Sequence, residues 1–467
     1  MNKPAAGGPE SNPNDAGAIG RDGLRVAIGL PSAVMLVIGG MVGVGIFVNP
    51  AVVARSLHSP DLALAAWVLG GLLALLGAGV YAELAARFPS TGGEYVYLRE
   101  TYGPLIGFLF GWTTLLVVQA GGMAAVAIVF AKNLNVLAGG ALPDKLIVVG
   151  ALAALAGVNC LGVRSGNGVQ SSLGALKLAA IGALIVAGLF VAHSAAPIHP
   201  PASAKAPALD DLKAFGAGMI PVVFSFGGWQ TANYVAGEMK ESHRNLGRAL
   251  VMGVLAVIGI YLLVNIACLR VLGIDALAAT LTPASDVLRH VAGPIGAKLA
   301  AAAIALSAIA FLSQSTLTGP RVYFAMARDG LFFRKVAEVA EGSRAPAIAI
   351  VLQAAWTGVL ALSGSYEQIL SYVIAMNFLF FGLSASCLFV LRRRERIAGK
   401  ALTPAGYRAH WHPITTGLFI LACAVIVGFS FWAYPKNSLI GYAIMLVGVP
   451  AYLYFARRKA LEPPPPQ

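Results

Sequence analysis

The sequence predicts an all-α membrane protein of twelve transmembrane helices, and three observations carry that expectation. Of its 467 residues, 58% are hydrophobic and only 11% are charged. A soluble domain keeps about a quarter of its residues charged, so over most of this chain the solvent must be lipid. The apolar residues also fall in long runs, each near the roughly 20 residues that a helix needs to cross the hydrocarbon layer. Twelve such runs use nearly the whole length.

In chain order the runs are 26–52, 61–87, 104–131, 146–163, 168–192, 212–238, 248–273, 294–320, 346–364, 367–391, 415–434 and 438–456. The first 20 residues are rich in Gly, Pro, Asn and Ala. They lack the apolar stretch and cleavage site of a signal peptide. Residues 1–24 therefore read as a disordered tail, 25–395 as a ten-helix core and 396–457 as two further helices. Residues 458–467, with Pro463 to Pro466, read as a second tail. An even number of spans puts both termini on one side. Most of the 33 Lys and Arg residues fall on that side, including Arg392, Arg393, Arg394 and Arg396 after the tenth span. Such a bias marks cytoplasmic loops, so both termini are expected in the cytoplasm of a cell whose plasma membrane holds the chain. The net charge of +13 is scattered over many loops and reports topology, not nucleic-acid binding. Cys160, Cys268, Cys387 and Cys423 lie in or beside apolar runs at the wrong spacing for zinc. They are expected to pack as small hydrophobes.

Most runs are plain Leu, Ala, Val and Gly, but two are interrupted. The first contains Gly39-Gly40-Met41-Val42-Gly43-Val44-Gly45-Ile46-Phe47 with Pro50 soon after. The sixth contains Pro221 and then Phe224-Ser225-Phe226-Gly227-Gly228-Trp229-Gln230. Clustered Gly weakens a helix and lets it unwind. Unwound backbone at membrane depth is tolerated only where it is buried in protein or lines a wet cavity. Alone, Gly39-xxx-Gly43 reads equally well as a helix-packing face. Together the two clusters occupy matching places in two five-helix halves, the arrangement that points to a carrier's midplane site. A broken helix exposes N–H groups on one side and C=O groups on the other. A zwitterion fits: a carboxylate on the amides of Val44 and Gly45, an ammonium on carbonyls near Met41, Phe224 and Gly227.

Further motifs accompany the breaks. Tyr81-Ala82-Glu83-Leu84, Pro89 and Gly92-Gly93-Glu94-Tyr95-Val96-Tyr97-Leu98 precede Gly103-Pro104; Gly162-Val163-Arg164, Gln170 and Lys177 mark the fifth run; Glu238-Met239-Lys240 and Arg244-Asn245-Leu246-Gly247-Arg248-Ala249 follow the sixth. From about residue 25 to 395 these motifs resemble the amino acid–polyamine–organocation transporter family, and within it the L-type amino acid transporters and their bacterial relatives. The resemblance implies a five-plus-five inverted-repeat core with helices one and six broken, and two C-terminal helices. Gly43-Val44-Gly45-Ile46-Phe47 looks like the family's Gly-Ser/Thr-Gly-Ile-Phe substrate motif, with Val44 in place of the usual hydroxyl. Phe224 is implied as an aromatic gate. Gln119, Gly121 and Gly122 of the third helix and Asn377 of the tenth are expected as side-chain pocket residues, although tight helix packing explains the glycines equally well. The loop 132–145 lacks the Cys that animal members use, so no disulfide-linked heavy chain is expected.

Lys177 lies about 14 Å along a helix that begins near residue 168, too deep for easy snorkelling. The resemblance implies that its ammonium takes the place of a sodium ion, touching the first helix near Met41 and the hydroxyl of Ser307. It can act as a fixed tether, or its burial can make it release a proton during transport. Glu83 and Glu238 are expected to pair with nearby Arg87 or Arg244. No acid sits mid-span, which favours neutral substrates. The sequence holds no HExxH, GxSxG or GxxxxGK[ST] motif, against an enzyme or a primary pump. The expected function is sodium-independent transport of neutral amino acids by alternating access, as exchanger, uniporter or proton symporter. A carrier of polyamines or other organic amines, or a nutrient sensor on the same fold, are the alternatives. The expected partners are the amino acid and the lipid bilayer; no cofactor or metal is called for.

Overall fold

The computed structural model describes residues 19–20, 22–191, 208–363, 366–399, 407–433 and 435–461. Among them the structure is helical, with two isolated β-bridges, Ile19 with Arg25 and Ile28 with Met239. In order the helices are α1 (Leu30–Met41), α2 (Gly45–Leu57), α3 (Pro60–Arg87), α4 (Glu94–Tyr102), α5 (Pro104–Thr113), α6 (Gln119–Leu137), α7 (Asp144–Cys160), α8 (Val163–Val186), α9 (Ala208–Ser225), α10 (Ser242–Ala279), α11 (Pro283–Ala292), α12 (Pro294–Thr318), α13 (Pro320–Arg328), α14 (Ala347–Ser363), α15 (Tyr366–Ala398), α16 (Ile414–Ala433) and α17 (Pro435–Leu461). A π-helical turn, Thr114–Val118, joins α5 to α6, and a 3₁₀ segment, Trp229–Glu238, continues α9 beyond its break.

Prolines at the first turn start α1, α3, α5, α11, α12 and α13, where a missing N–H costs nothing. Among the described residues eight helical segments are long and apolar enough to cross a membrane. The pair α1 and α2 makes a ninth, bent by 43° at its break. The other three expected runs coincide with α7, α9 and α14, which are 17, 18 and 17 residues long. Three short helices, α4, α11 and α13, were not foreseen from the apolar runs.

Two groups of helices organise the packing. α1, α2, α3, α9 and α10 lie against one another, and so do α6, α7, α12, α14 and α15, with α8 on α12. α16 and α17 pack outside, on α15, α3 and α5. Trp67 fixes the first group: its buried ring meets Phe226 and Tyr261 edge-on at 5.9 and 5.6 Å.

The first and the last described stretches of the chain meet one end of the bundle. Asp22 pairs with Arg328 and accepts from Thr91 N at 3.3 Å, while a Cβ on Gly330 would lie 3.2 Å from Lys459. Residues 22–24 therefore belong to the folded body and not to a tail ending at 24: Leu24 is fully buried, and Ala27 and Ile28 donate to Glu238 O at 3.0 Å. Residues 1–18 and 462–467 lie outside the described residues. The buried acids find partners that sequence neighbours only half anticipated. Glu83 is held by Arg87 and by Arg392. Glu238 pairs with Arg321 at 2.7 Å, not with Arg244, because α13 lays the guanidinium against the 3₁₀ segment with both side chains fully buried.

Candidate functional site

The two interruptions face each other at the centre of the first helix group. α1 ends at Met41, since Val42 leaves the helical region (φ −75°, ψ 87°), and α2 starts again at Gly45. α9 ends at Ser225, and Gly228 turns the chain with φ +102°. The close approach explains two of the glycines. A Cβ on Gly40 would sit 2.5 Å from Gly228 O, and one on Gly228 would sit 2.1 Å from Gly40 O. Gly39 packs against Gln170 and Gln314, whereas among the described residues a Cβ on Gly43 would meet only Phe311, at 3.7 Å. The cluster thus serves both readings: its first half packs helices and its second half opens a space.

That space is a cavity of about 110 Å³. Met41, Gly43, Val44, Gly45, Phe224, Gly227, Gly122 and Asn377 all line it, as does Gln119. Gly121 does not. Apolar walls come from Val126, Phe311, Ile374 and Phe378, and hydrogen-bonding groups from Gln230, Thr231, Gln314 and Ser315. Among the described residues no Asp, Glu, Lys or Arg lines it. An apolar hollow with a few convergent polar groups is the usual form of a small-molecule site. Of the first amides of α2, which lack partners within the helix, Phe47 N already donates to Val44 O at 3.1 Å, and Gly45 adjoins the cavity. Of the carbonyls, Met41 O already receives Gly43 N at 2.9 Å and Tyr261 Oη at 2.8 Å. Phe224 O receives one donor, Gly227 N at 3.0 Å, and keeps a lone pair.

Lys177 and Ser307 stand behind the break, outside the cavity lining. The Lys177 ammonium donates to Gly39 O at 3.2 Å and to Val42 O, and Ser307 Oγ donates to Gly43 O at 3.1 Å. Together they satisfy three carbonyls that the end of α1 leaves unpaired. Among the described residues no hydrogen bond joins Lys177 to Ser307, so each reaches the break separately. Tyr261 of α10 went unnoticed in the sequence although it ties both breaks: its hydroxyl is 2.8 Å from Met41 O and 3.0 Å from Ser225 O. Gln314 was missed likewise; it donates to Thr231 Oγ1 at 2.6 Å across the cavity floor. A lone Tyr in an apolar run and a Gln inside α12 were the available signals.

Below that floor, toward the chain ends, the bundle is shut by stacked polar contacts. Tyr97 Oη donates to Asn233 at 3.1 Å, Glu94 accepts from Tyr81 and Tyr234, Glu238 pairs with Arg321, and Asp329 takes Tyr95 and Arg99. A substrate-sized cavity between two helix groups, closed toward one end of an apolar bundle, defines a membrane carrier.

The amino acid permease family profile matches residues 28–455, and the chain belongs to that family. It is 31% identical to the serine/threonine exchanger SteT of Bacillus subtilis (strain 168) over 449 residues, which covers 94% of this chain and 99% of that protein. It is 29% identical to the large neutral amino acids transporter small subunit 2 of Homo sapiens, covering 96% and 84%. It is 30% identical to the Asc-type amino acid transporter 1 of Homo sapiens, covering 93% and 83%. The chain is a transporter and not an enzyme.

Proposed function

We propose that the protein carries neutral amino acids across the plasma membrane by alternating access, without sodium, through the cavity between the two breaks. One observation carries the reading: the breaks abut at Gly40 and Gly228 and offer the cavity helix-initial amides and free carbonyl lone pairs, with no charged side chain among the described residues of the lining. That set complements a zwitterion and leaves an additional substrate charge without a counter-ion. Polyamines fit it poorly for that reason. The side-chain end, between Gly122, Gln119 and Asn377, combines open space with two amides, since a Cβ on Gly122 would meet none of the described residues within 4 Å. Small polar side chains suit it, in keeping with the name of the serine/threonine exchanger, whereas the large neutral amino acids transporter is named for bulkier ones.

The finer architecture belongs to the same proposal. Twelve spans, with α7, α9 and α14 completing the set, form two five-helix repeats with α16 and α17 added. Residues 25–395 make the transporting core and 396–457 the added pair, and both termini lie in the cytoplasm, where the Lys and Arg excess falls. Exchange is the mode that one relative's name gives, that of the serine/threonine exchanger, and the chain works without a disulfide-linked partner. Purified protein in liposomes loaded with one amino acid should take up labelled serine, threonine, alanine or leucine in a saturable way. Uptake should persist when choline replaces sodium, because the Lys177 ammonium already fills the place beside Gly39 and Val42. A saturable sodium requirement would remove the role assigned to Lys177; no uptake of any amino acid would overturn the reading.

A further inference from the structure

A second polar centre lies outside the cavity and has no part in holding a substrate. Glu94, the first residue of α4, is 1% exposed. Its carboxylate accepts from Tyr81 Oη at 2.6 Å, from Tyr234 Oη at 3.1 Å and from Ser384 Oγ at 3.5 Å. Among the described residues it has no ion-pair partner. The titratable groups facing it are phenols and a thiol: Tyr81 from α3, Tyr234 from the 3₁₀ segment, Tyr97 from its own helix and Cys387 from α15. Nearby charges are committed elsewhere, Glu83 to Arg87 and Arg392, Glu238 to Arg321, and Arg99 and Arg328 to Asp329 and Asp22. α13 adds Tyr323 near Tyr234, and α5 contributes no titratable side chain.

A buried carboxylate without a cation is poorly solvated, and hydroxyl donors offset only part of that cost. Burial pushes the Glu94 carboxyl up to about 7, against the pull of Tyr81, Tyr234 and Ser384 in the other direction. The position in the fold gives this a consequence. Tyr81 and Tyr234 belong to the helix group that carries the breaks, whereas α4 packs on α5 and α15, and Ser384 lies on α15. The carboxyl therefore sits on the seam along which the two groups must part for the cavity to open toward the chain ends. Once parted, the seam admits water and the carboxyl returns to an ordinary value near 4.3.

We propose that Glu94 is a proton-binding site that governs this closure: one proton taken from the cytoplasm onto the carboxylate holds the seam shut, and its loss frees the seam to open. The proposal takes the transport reading for the direction of opening. The sign follows from linkage. The closed form binds the proton more tightly, so the closed-to-open ratio rises as pH falls through 7, by about tenfold between pH 8 and pH 6. The site is a cytoplasmic pH sensor and not a coupling site, because proton uptake and release both occur from the same side.

The test is amide hydrogen exchange of the Trp229–Met239 segment in lipid nanodiscs from pH 6 to 8, corrected for the intrinsic pH dependence. Opening in the wild type should be about tenfold rarer at pH 6 than at pH 8. Glu94→Gln, which mimics the protonated acid, should show low opening independent of pH. Tyr234→Phe removes a donor that favours the carboxylate and should move the wild-type midpoint to higher pH; it decides the matter if Glu94→Gln fails to fold. A flat wild-type profile, an unchanged profile in Glu94→Gln, or a midpoint lowered by Tyr234→Phe would each overturn the proposal. The measurement needs no substrate. Failure to bind any amino acid would therefore count against the transport reading alone, and a flat profile with binding intact against this one alone.

Discussion

At the scale of single residues, glycines that look alike in the sequence carry opposite expectations. Gly43 has free space beside it, so Gly43→Leu should fill the cavity, abolish uptake and leave folding intact, as read by transport and by gel filtration. Gly40 has none: the Cβ of Gly40→Ala would meet a backbone carbonyl that cannot step aside. That variant should lose about 1–3 kcal/mol of stability, the usual cost of overpacking, seen as a lower melting temperature. Val44 lines the cavity at the position where the family's motif carries a hydroxyl. Val44→Ser should keep or raise apparent affinity for amino acids with a free carboxylate, measured by competition for labelled substrate. A sharp loss would mean that the Val44 methyl groups themselves contact the substrate.

At the scale of elements, α8 matters through one residue. The Lys177 ammonium, 0% exposed, holds the carbonyls of Gly39 and Val42. Lys177→Ala would strand both, at about 1–3 kcal/mol for each buried unsatisfied group, and should remove most flux at every pH. Clear proton-driven accumulation in the wild type that vanishes in Lys177→Ala would assign the residue to coupling instead of tethering. The long apolar elements were legible because length and hydropathy report them without tertiary context, and the two breaks because Gly and Pro punctuate locally. The short helices α4, α11 and α13 escaped, since each mixes polar and apolar residues over nine or ten positions. The pairs escaped for another reason. Arg321 finds Glu238 across 83 positions and Ser307 finds Gly43 across 264, distances over which residue spacing holds no geometric information.

At the scale of the whole molecule, the shut end rests on charges removed from water. Arg321 and Glu238 are both fully buried, and breaking such a pair from one side costs about 3–5 kcal/mol because the remaining charge is stranded. Arg321→Ala should therefore lower the melting temperature more than the double variant Arg321→Met with Glu238→Met, which removes both charges and restores bulk. Equal losses in the two would mean that packing, not charge, holds this contact. The seam at Glu94 lies in the same region, so closure there joins a fully buried ion pair with a buried carboxyl held by hydroxyl donors.

The contact between Gly40 and Gly228 also constrains how the protein can evolve. Each position forbids a side chain because of the other's backbone, so neither can drift alone while the partner stays in place. A substitution at one becomes tolerable only after the two strands of chain have moved apart, and that movement reshapes the cavity. Lineages that take up a new substrate by widening this crossing should therefore show paired replacements at the two positions, and lineages that keep the substrate should show neither.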